Sequence, residues 1–384
     1  MRSPYEELRL AFGDATVPYL YGTGCTPALA GTIVERLADV DAVLFVADDG
    51  VRGHADAVAA ELGRRVRVER VQVEAAERHK TLPTVQHLLE TAVARRLTRR
   101  SAVVAMGGGT VGNIAGLAAA LLFRGTRLVH LPTTPVAAFD ATVSLKQGVN
   151  LSTGKNLAGT YFVPALIACD LAWLATVPRH DLLTGLAEMV KNVLVAAPGL
   201  DDKLTRALDD LTSEPQAALR ALLEIGVEAK APYVAADPRE QGGALIFEYG
   251  HTAGHAIEFV SGGQIRHGEA VAWGMLIAAE VARRRHGLAA DDVAAHHRLV
   301  SLLDLPDAAA RLDGLDRDAI RGVLAVDNKR GYGPCAAGEV LMVLLDTIGR
   351  AVPGLTGGPP LVPVAVAAVM DAFETVAMNA LEAV

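Results

Sequence analysis

Short runs of β-forming residues alternate with helical patterns along the first half of the chain. The strand candidates are Ala42–Ala47, Val66–Val73, Ser101–Met106 and Arg127–Leu131, with helix candidates at Leu82–Arg96 and Val111–Arg124. This alternation is typical of parallel strands that are joined by crossover helices. We therefore expect an α/β domain built on a parallel sheet.

Amphipathic helical patterns dominate the chain after about Arg179. They cover Leu182–Ala196, Pro215–Ala235, Phe247–Phe259, Glu269–Arg285 and Ala365–Ala383, and only Val340–Leu345 resembles a strand. A length of 384 residues favours two domains. We predict an α/β domain over residues 1–176 and a mainly helical domain over residues 177–384, with the boundary close to Pro178.

The composition limits the partners of the chain. A net charge of −8 argues against nucleic acid and anionic membranes as partners, although a local cationic pocket for a small anion remains compatible with it. The first residues lack the hydrophobic stretch of a signal peptide, and the three cysteines are widely spaced. We expect reduced cysteines and a cytoplasmic location.

A glycine-rich turn follows the strand candidate at residues 101–106. Gly107, Gly108 and Gly109 precede an Ala-rich helix, so backbone N–H groups at the helix start can approach a pyrophosphate. Asp48 ends another strand and suits either an adenosine ribose or the cap of a turn. Thr133 and Thr134 follow a third strand. These features favour a nucleotide site, whereas a tight turn without a ligand explains the glycines alone.

Histidines and a glutamate in the second half predict a divalent metal site. His251 and His255 are four positions apart on one helix face, and His267 follows in the segment His-Gly-Glu. Glu188 and Lys191 share a face in the segment GLAEMVKN. From the residues alone, the ligands are either the pair His251 and His255, or Glu188, His251 and His267 with His255 facing the substrate.

Basic residues in apolar or glycine-rich segments predict an anionic ligand, because an unpaired buried ammonium is costly. The candidates are Arg124, Lys146, Lys155, Lys191, Lys230 and Lys329, with Asn156 beside Lys155. A phosphate would supply the matching charge. Any one of these lysines, taken singly, also suits a solvated surface position.

The motifs together resemble one family. GGGTVGNIAGLAAALLFRG, LPTTPVAAFD, SLKQGVN, GKNLAGTY, GLAEMVKN, EYGHTAGHAIE and RHGEAVAWGM resemble, in order and spacing, the sugar-phosphate cyclases typified by dehydroquinate synthase. The resemblance runs from about Asp48 to Tyr332. It implies an N-terminal NAD-binding α/β domain, a C-terminal helical metal domain, NAD and one divalent ion (zinc or cobalt) as cofactors, and a homodimer.

The resemblance also implies a role for each matching residue. It places the metal on Glu188, His251 and His267, and it gives catalytic roles to Lys146, Lys191 and His255. It assigns NAD contacts to Asp48, Glu77, Lys80, Gly108, Gly109, Asn113, Thr133, Thr134 and Asp140. It assigns substrate or phosphate contacts to Lys155, Asn156, Lys230 and Lys329, and it brings Arg124 to the site of the neighbouring subunit. For Glu248, which departs from the pattern of dehydroquinate synthases, we expect an acid/base or hydroxyl-binding role that is specific to the subfamily.

Departures from the dehydroquinate synthase pattern favour a different substrate. Ala244 stands where those enzymes carry an arginine for the substrate carboxylate, and Glu248 and Asn113 replace an asparagine and an aspartate. A substrate without a carboxylate is therefore favoured. The sequence most resembles the 2-deoxy-scyllo-inosose synthases. This implies glucose 6-phosphate as substrate and a reaction through transient oxidation by NAD, β-elimination of phosphate, reduction and intramolecular aldol closure.

Other functions remain as alternatives. Dehydroquinate synthases and 2-epi-5-epi-valiolone synthases share the same motifs in outline. A polyol dehydrogenase that uses NAD and a metal is a second alternative, and Lys146, Lys155 and Lys329 argue against it because it binds no phosphate. A nucleotide-binding protein without catalysis is a third, and it would need no metal ligands.

Overall fold

A computed structural model describes residues 3–152, 154–305 and 308–382. Their contacts divide the chain into two compact units. The first comprises residues 1–177 with Glu214–Leu223, and the second comprises Pro178–Ser213 with residues 224–384. Segment 214–223, which the sequence assigned to the second domain, therefore clusters with the first unit.

The first unit is built on a seven-stranded sheet. Its strands are β1 (Glu6–Phe12), β2 (Ala15–Gly22), β3 (Ala42–Asp48), β4 (Arg67–Val73), β5 (Ala102–Gly107), β6 (Arg127–Pro132) and β9 (Leu166–Asp170). A separate antiparallel hairpin is formed by β7 (Lys146–Leu151) and β8 (Gly154–Tyr161). The helices are α1 (Thr26–Arg36), α2 (Arg52–Gly63), α3 (Leu82–Ala94), α4 (Gly109–Leu121) and α5 (Leu171–Leu174).

The sheet is parallel except at one edge. Its order is β1-β2-β9-β6-β5-β3-β4, and only β1 and β2 pair antiparallel. Phe45 of β3 faces a core formed with α1 and α2, whereas Leu44 faces a second core formed with α3 and α4. Both faces of the central strands are therefore buried, as in other parallel sheets. The predicted α/β fold is confirmed.

The second unit is mainly helical, as predicted. Its helices are α6 (Arg179–Gly185), α7 (Ala187–Ala196), α8 (Asp201–Asp209), α10 (His251–Val260), α11 (His267–His286), α12 (Ala290–Ser301), α13 (Ala308–Asp313), α14 (Arg317–Leu324) and α15 (Val366–Glu382). It also includes the part of α9 (Pro215–Ala236) that follows Leu223. Helix α11 is buried continuously from Gly268 to Ala282 and forms the centre of the unit. The strands are β10 (Glu339–Met342), β11 (Leu345–Thr347), β12 (Arg350–Ala351) and β13 (Val362–Ala365).

Several element predictions were wrong at breaks in the backbone. The single helix over 182–196 is two helices, because the chain tightens at Leu186, whose N–H bonds to both Leu182 and Leu183. The helix over 247–259 begins only at His251, because Gly250 has a φ of +76°. The helix over 111–124 ends at Leu121, and Arg124 lies in a left-handed turn.

The strand prediction for the second half was incomplete. Val340–Leu345 is divided between β10 and β11, which pair with β13 and β12 respectively. The hairpins β1–β2 and β7–β8 were not predicted from the sequence. Among the described residues, no helix combines the length and apolar character needed to span a membrane.

Candidate metal and nucleotide sites

Three side chains converge in the second unit to form a group suited to a metal ion. Glu188 lies in the first turn of α7, and His251 and His267 are the first residues of α10 and α11. One ligand atom from each lies within 4.8 Å of the others. Glu188 Oε1 is 3.5 Å from Nε2 of His251 and 3.3 Å from Nε2 of His267. Residues far apart in sequence therefore direct three donors towards one point.

Hydrogen bonds fix the orientation of both imidazoles. Nδ1 of His251 lies 3.1 Å from the carbonyl oxygen of Tyr249, and Nδ1 of His267 lies 3.1 Å from Oε2 of Glu258. Because each Nδ1 donates to an oxygen, each Nε2 points to the centre of the group, where a bound metal ion would displace its proton and take its lone pair. Glu258 was not predicted as a site residue. Only its position one helical turn after His255 in EYGHTAGHAIE could have indicated it.

The charges of the group favour a cation. Oε2 of Glu188 accepts a hydrogen bond from Lys191, whereas Oε1 is buried and accepts none. Burial opposes ionisation of Glu188, but the positive charges of Lys191 and His251 outweigh it and hold its pKa well below the usual range. Burial also opposes protonation of His267, but Glu188 and Glu258 raise its pKa to about 10. The site thus stabilises positive charge where a divalent ion would sit.

Close packing of helices places the two histidines. A Cβ on Gly268 would lie 1.9 Å from the carbonyl oxygen of Thr184, and one on Gly250 would lie 2.8 Å from Cγ of Met275. Glu269 is fully buried and accepts a hydrogen bond from the N–H of Arg266, which caps the start of α11. Glycine at these positions lets α11 approach α6 and α10 closely enough for the donors to meet.

His255 lies beside the metal group without joining it. Its ring centroid is 5.2 Å from that of His251 and 5.9 Å from that of His267. Desolvation and the neighbouring charges of His251 and Lys329 hold its pKa well below the usual value. A neutral imidazole beside the metal group can accept or donate a proton in a hydrogen bond with a ligand.

Two lysines flank the ring of Phe247. The ammonium groups of Lys191 and Lys230 lie 5.8 Å and 5.5 Å from the ring centroid, and all three side chains are buried. The aromatic face partly compensates for the desolvated charges.

Lys329 is held by acidic neighbours. Its Nζ lies 3.1 Å from both carboxylate oxygens of Asp327 and 3.8 Å from Oε2 of Glu248. Asp327 was not predicted, although its position in DNKRGY, two residues before the lysine, could have indicated the pair. The charge of Lys329 is therefore largely balanced within the second unit.

The glycine turn of the first unit lies at the carboxyl end of β5. A Cβ on Gly107 would lie 2.9 Å from Cβ of Val111 and 3.2 Å from Cβ of Asp48, so only glycine fits. Gly108 and Gly109 lead into α4, whose first N–H groups lack helical partners. Asn113 accepts a hydrogen bond from the N–H of Gly148 and donates to the carbonyl of Gly109.

Polar side chains surround this turn. Asp48 accepts a hydrogen bond from the N–H of Gly50, as the capping alternative predicts, and burial raises its pKa. The hydroxyl oxygen of Thr133 is buried and has no hydrogen-bond partner. A Cβ added to Gly108 would lie 3.3 Å from Cγ2 of Thr134, and Asp140 lies in the π-helical turn Ala137–Ala141. Lys146 also lines the cleft at this turn. The glycine cradle, formed by Gly107, Gly108 and Gly109, and the buried hydroxyl of Thr133 fit the pyrophosphate and the sugar of a nucleotide.

The hairpin β7–β8 brings further predicted residues together. Nζ of Lys80 donates to Oδ1 of Asn156 at 2.6 Å, and Nζ of Lys155 is 3.9 Å from Oε1 of Glu77. Asn150, which was not predicted individually, bonds to both Glu77 and Asn156. The pairing of these segments could not be inferred from their separation in sequence.

Comparison with known proteins identifies the family. Residues 70–184 match the N-terminal part of the 3-dehydroquinate synthase family, and residues 185–330 match its C-terminal part. The chain belongs to the 3-dehydroquinate synthase family. The resemblance inferred from the motifs is confirmed.

Relatives within the 3-dehydroquinate synthase family are similar over nearly the full chain. A 2-deoxy-scyllo-inosose synthase from Streptomyces fradiae is 44% identical over 363 residues, which are 94% of this chain and 83% of the relative. A crystal structure of 2-deoxy-scyllo-inosose synthase complexed with carbaglucose-6-phosphate, NAD+ and Co2+ has a TM-score of 0.85 and 33% identity, covering 96% of this chain and 99% of that one.

A second solved structure is also similar over nearly the full chain. ValA, a 2-epi-5-epi-valiolone synthase from Streptomyces hygroscopicus subsp. jinggangensis with NAD+ and Zn2+ bound, has a TM-score of 0.80 and 27% identity, covering 96% of this chain and 99% of that one.

Proposed function

We propose that this protein is a 2-deoxy-scyllo-inosose synthase, which converts glucose 6-phosphate to 2-deoxy-scyllo-inosose and phosphate. The observation that carries the proposal is the convergence of Glu188 Oε1 with Nε2 of His251 and of His267 in a protein whose relatives at 44% identity bear this name. A solved relative holds carbaglucose-6-phosphate, NAD+ and Co2+ together, which supports the same set of ligands here.

The cofactors and the side chains would perform different steps of the reaction. NAD+ bound by the first unit would accept and return a hydride, and a zinc or cobalt ion on Glu188, His251 and His267 would polarise a substrate hydroxyl. Lys191, which is paired with Glu188, would supply positive charge beside that hydroxyl. His255 and Glu248 would exchange protons or hydrogen bonds with substrate hydroxyls.

We assign NAD contacts to residues of the first unit. The glycine cradle would hold the pyrophosphate against the start of α4, and Asp48 would accept hydrogen bonds from the ribose. The full set is Asp48, Glu77, Lys80, Gly108, Gly109, Asn113, Thr133, Thr134 and Asp140.

We assign the phosphate to Lys146, Lys155, Asn156, Lys230 and Lys329. The pairing of Lys329 with Asp327 means that a phosphate must compete with a carboxylate at that lysine. Lys146 is exposed and lies in the cleft beside Asn113, so its charge is accessible to an anion.

The residue at position 244 supports a substrate without a carboxylate. Ala244 is fully buried and its N–H donates to Asp237. Because alanine has no guanidinium, a substrate carboxylate would lack a bidentate partner at this position. This favours glucose 6-phosphate over the substrate of dehydroquinate synthases.

We also propose a homodimer in which Arg124 reaches the site of the partner subunit. Phe123, Arg124 and Gly125 have φ values of 53°, 68° and 121°, a strained turn that presents Arg124 to solvent. Large apolar side chains are also exposed at Leu121 of α4, in the hairpin at Leu151, Leu157 and Tyr161, and just after it at Val163. Light scattering after size exclusion would report a mass near twice 40.2 kDa for the dimer.

We further propose a cytoplasmic location. Cys25, Cys169 and Cys335 are all free thiols, which suits a reducing compartment.

Phosphate release tests the proposed reaction. The purified protein with NAD+ and Co2+ or Zn2+ is incubated separately with glucose 6-phosphate, 3-deoxy-arabino-heptulosonate 7-phosphate and sedoheptulose 7-phosphate. Release from glucose 6-phosphate alone, without net NADH accumulation at 340 nm, is the expected result. Release only from one of the other two sugars would assign the protein to a different branch of the family.

A further inference from the structure

Asn150 joins two segments of the first unit that are about 70 residues apart in sequence. Its Nδ2 donates to Oε1 of Glu77 at 2.7 Å, and its backbone N–H donates to the carbonyl of Lys80 at 2.7 Å. A parallel bridge pairs Asn150 with Thr81. The end of β7 is therefore attached to the segment that carries Glu77 and Lys80.

The same side chain holds the following strand. Oδ1 of Asn150 accepts the backbone N–H of Asn156 at 2.8 Å. One amide thus bridges Glu77 and Asn156, and its orientation is unambiguous because one partner is a carboxylate and the other is an N–H.

Asn156 has a conformation that depends on these bonds. Its φ is +55°, a left-handed value that asparagine tolerates better than most residues. The ammonium of Lys80 holds Oδ1 of Asn156, so the NH2 group of that amide faces away from Lys80 as a donor. This is the orientation that a phosphate oxygen requires.

We propose that Asn150 is a positioning residue that couples NAD binding to phosphate binding. The inference rests on the proposed function, which supplies the ligands of Glu77, Lys80 and Asn156. Contacts of NAD with Glu77 and Lys80 would restrain the segment that Asn150 joins to Asn156, so phosphate binding would bear less of the entropic cost of fixing Asn156. The coupling is reciprocal, because each ligand must change the affinity for the other by the same factor.

Isothermal titration calorimetry of the metal-loaded protein with inorganic phosphate, which cannot turn over, measures the coupling. The phosphate Kd is determined with and without saturating NAD+. In the wild-type protein we expect NAD+ to lower this Kd by about fivefold or more. In Asn150→Ala the ratio of the two values should fall towards one, because only the direct bond from Lys80 to Asn156 then links the two sets of contacts.

Two further variants separate positioning from general damage. Gln86→Ala removes an exposed amide that bonds only to Glu90 on the surface of α3, and it should keep the wild-type ratio. Asn150→Asp preserves the size of the side chain and the acceptor for Asn156 but opposes Glu77, and it should also lower the ratio. Thermal unfolding of each variant establishes that it is folded.

A purely structural role for Asn150 would change both phosphate affinities while leaving their ratio unchanged. A wild-type ratio in Asn150→Ala, or a ratio of one in the wild-type protein itself, would overturn the inference. If glucose 6-phosphate is turned over while the ratio is one, only the coupling fails. If the wild-type protein binds neither NAD+ nor phosphate, the proposed function fails with it.

Discussion

Substitution of Gly268 by alanine tests whether helix packing sets the metal site. Gly268 follows the ligand His267 at the start of α11, and an added Cβ would lie 1.9 Å from the carbonyl oxygen of Thr184. Real Cβ contacts are essentially never below 3.0 Å, so the start of α11 or α6 must move by at least about 1.1 Å. That shift would carry Nε2 of His267 away from Glu188.

The expected loss follows from the precision of metal coordination. Metal–ligand distances tolerate only about 0.2 Å, several times less than the shift. We expect metal affinity to fall by about 100-fold, equivalent to about 2.7 kcal/mol. Overpacking should also lower the free energy of unfolding of the metal-free protein by about 1–3 kcal/mol.

Competition with a chromophoric chelator for Zn2+ or Co2+ measures the affinity, and urea unfolding of the metal-free protein measures the stability. Gly322→Ala is the matched control, because Gly322 lies in α14 with no atom within 4 Å of an added Cβ. It should stabilise the protein by about 0.5–1 kcal/mol and leave metal affinity unchanged. Wild-type metal affinity in Gly268→Ala would refute the packing argument.

Three other predictions concern single side chains. Glu248→Gln should leave NAD+ and metal binding intact and remove most turnover in a phosphate-release assay, and near-normal turnover would discard its catalytic role. Glu258→Gln should weaken metal binding about tenfold in the chelator assay, because the amide holds Nδ1 of His267 less strongly than the carboxylate does; unchanged affinity would argue against the orienting hydrogen bond. Burial lowers the pKa of His130 from 6.5 to about 4, so its share of stability is present above pH 6.5 and is lost as pH falls towards 4. In urea unfolding, His130→Gln should reduce the slope of stability against pH in this window by about 1.4 kcal/mol per pH unit, and an unchanged slope would contradict the shift.

The chemistry of the site was easier to predict from the sequence than its geometry. The motifs indicated Glu188, His251 and His267, but spacing alone left His255 as an alternative ligand because His251 and His255 share a helix face. In the structure, the start of α11 brings His267 close to Glu188, so His267 and not His255 joins Glu188 and His251 in the group suited to a metal ion. Such a contact depends on tertiary packing and cannot be inferred from helical periodicity.

Breaks in secondary structure limited the rest of the prediction. The periodic pattern before His251 continues through Gly250, yet the left-handed φ of that glycine delays the start of α10. The pairing of Asn150 with Thr81 joins segments that have no shared local pattern. The central strands of the sheet were predicted well because their continuous apolar runs reflect burial on both faces of the sheet.

Anomalous scattering from crystals grown with Co2+ tests the central claim most directly. The account predicts one strong peak in the second unit, at about 2.0–2.2 Å from Nε2 of His251, Nε2 of His267 and a carboxylate oxygen of Glu188. A peak bound by the pair His251 and His255, or the absence of any peak at these residues under saturating Co2+, would contradict it.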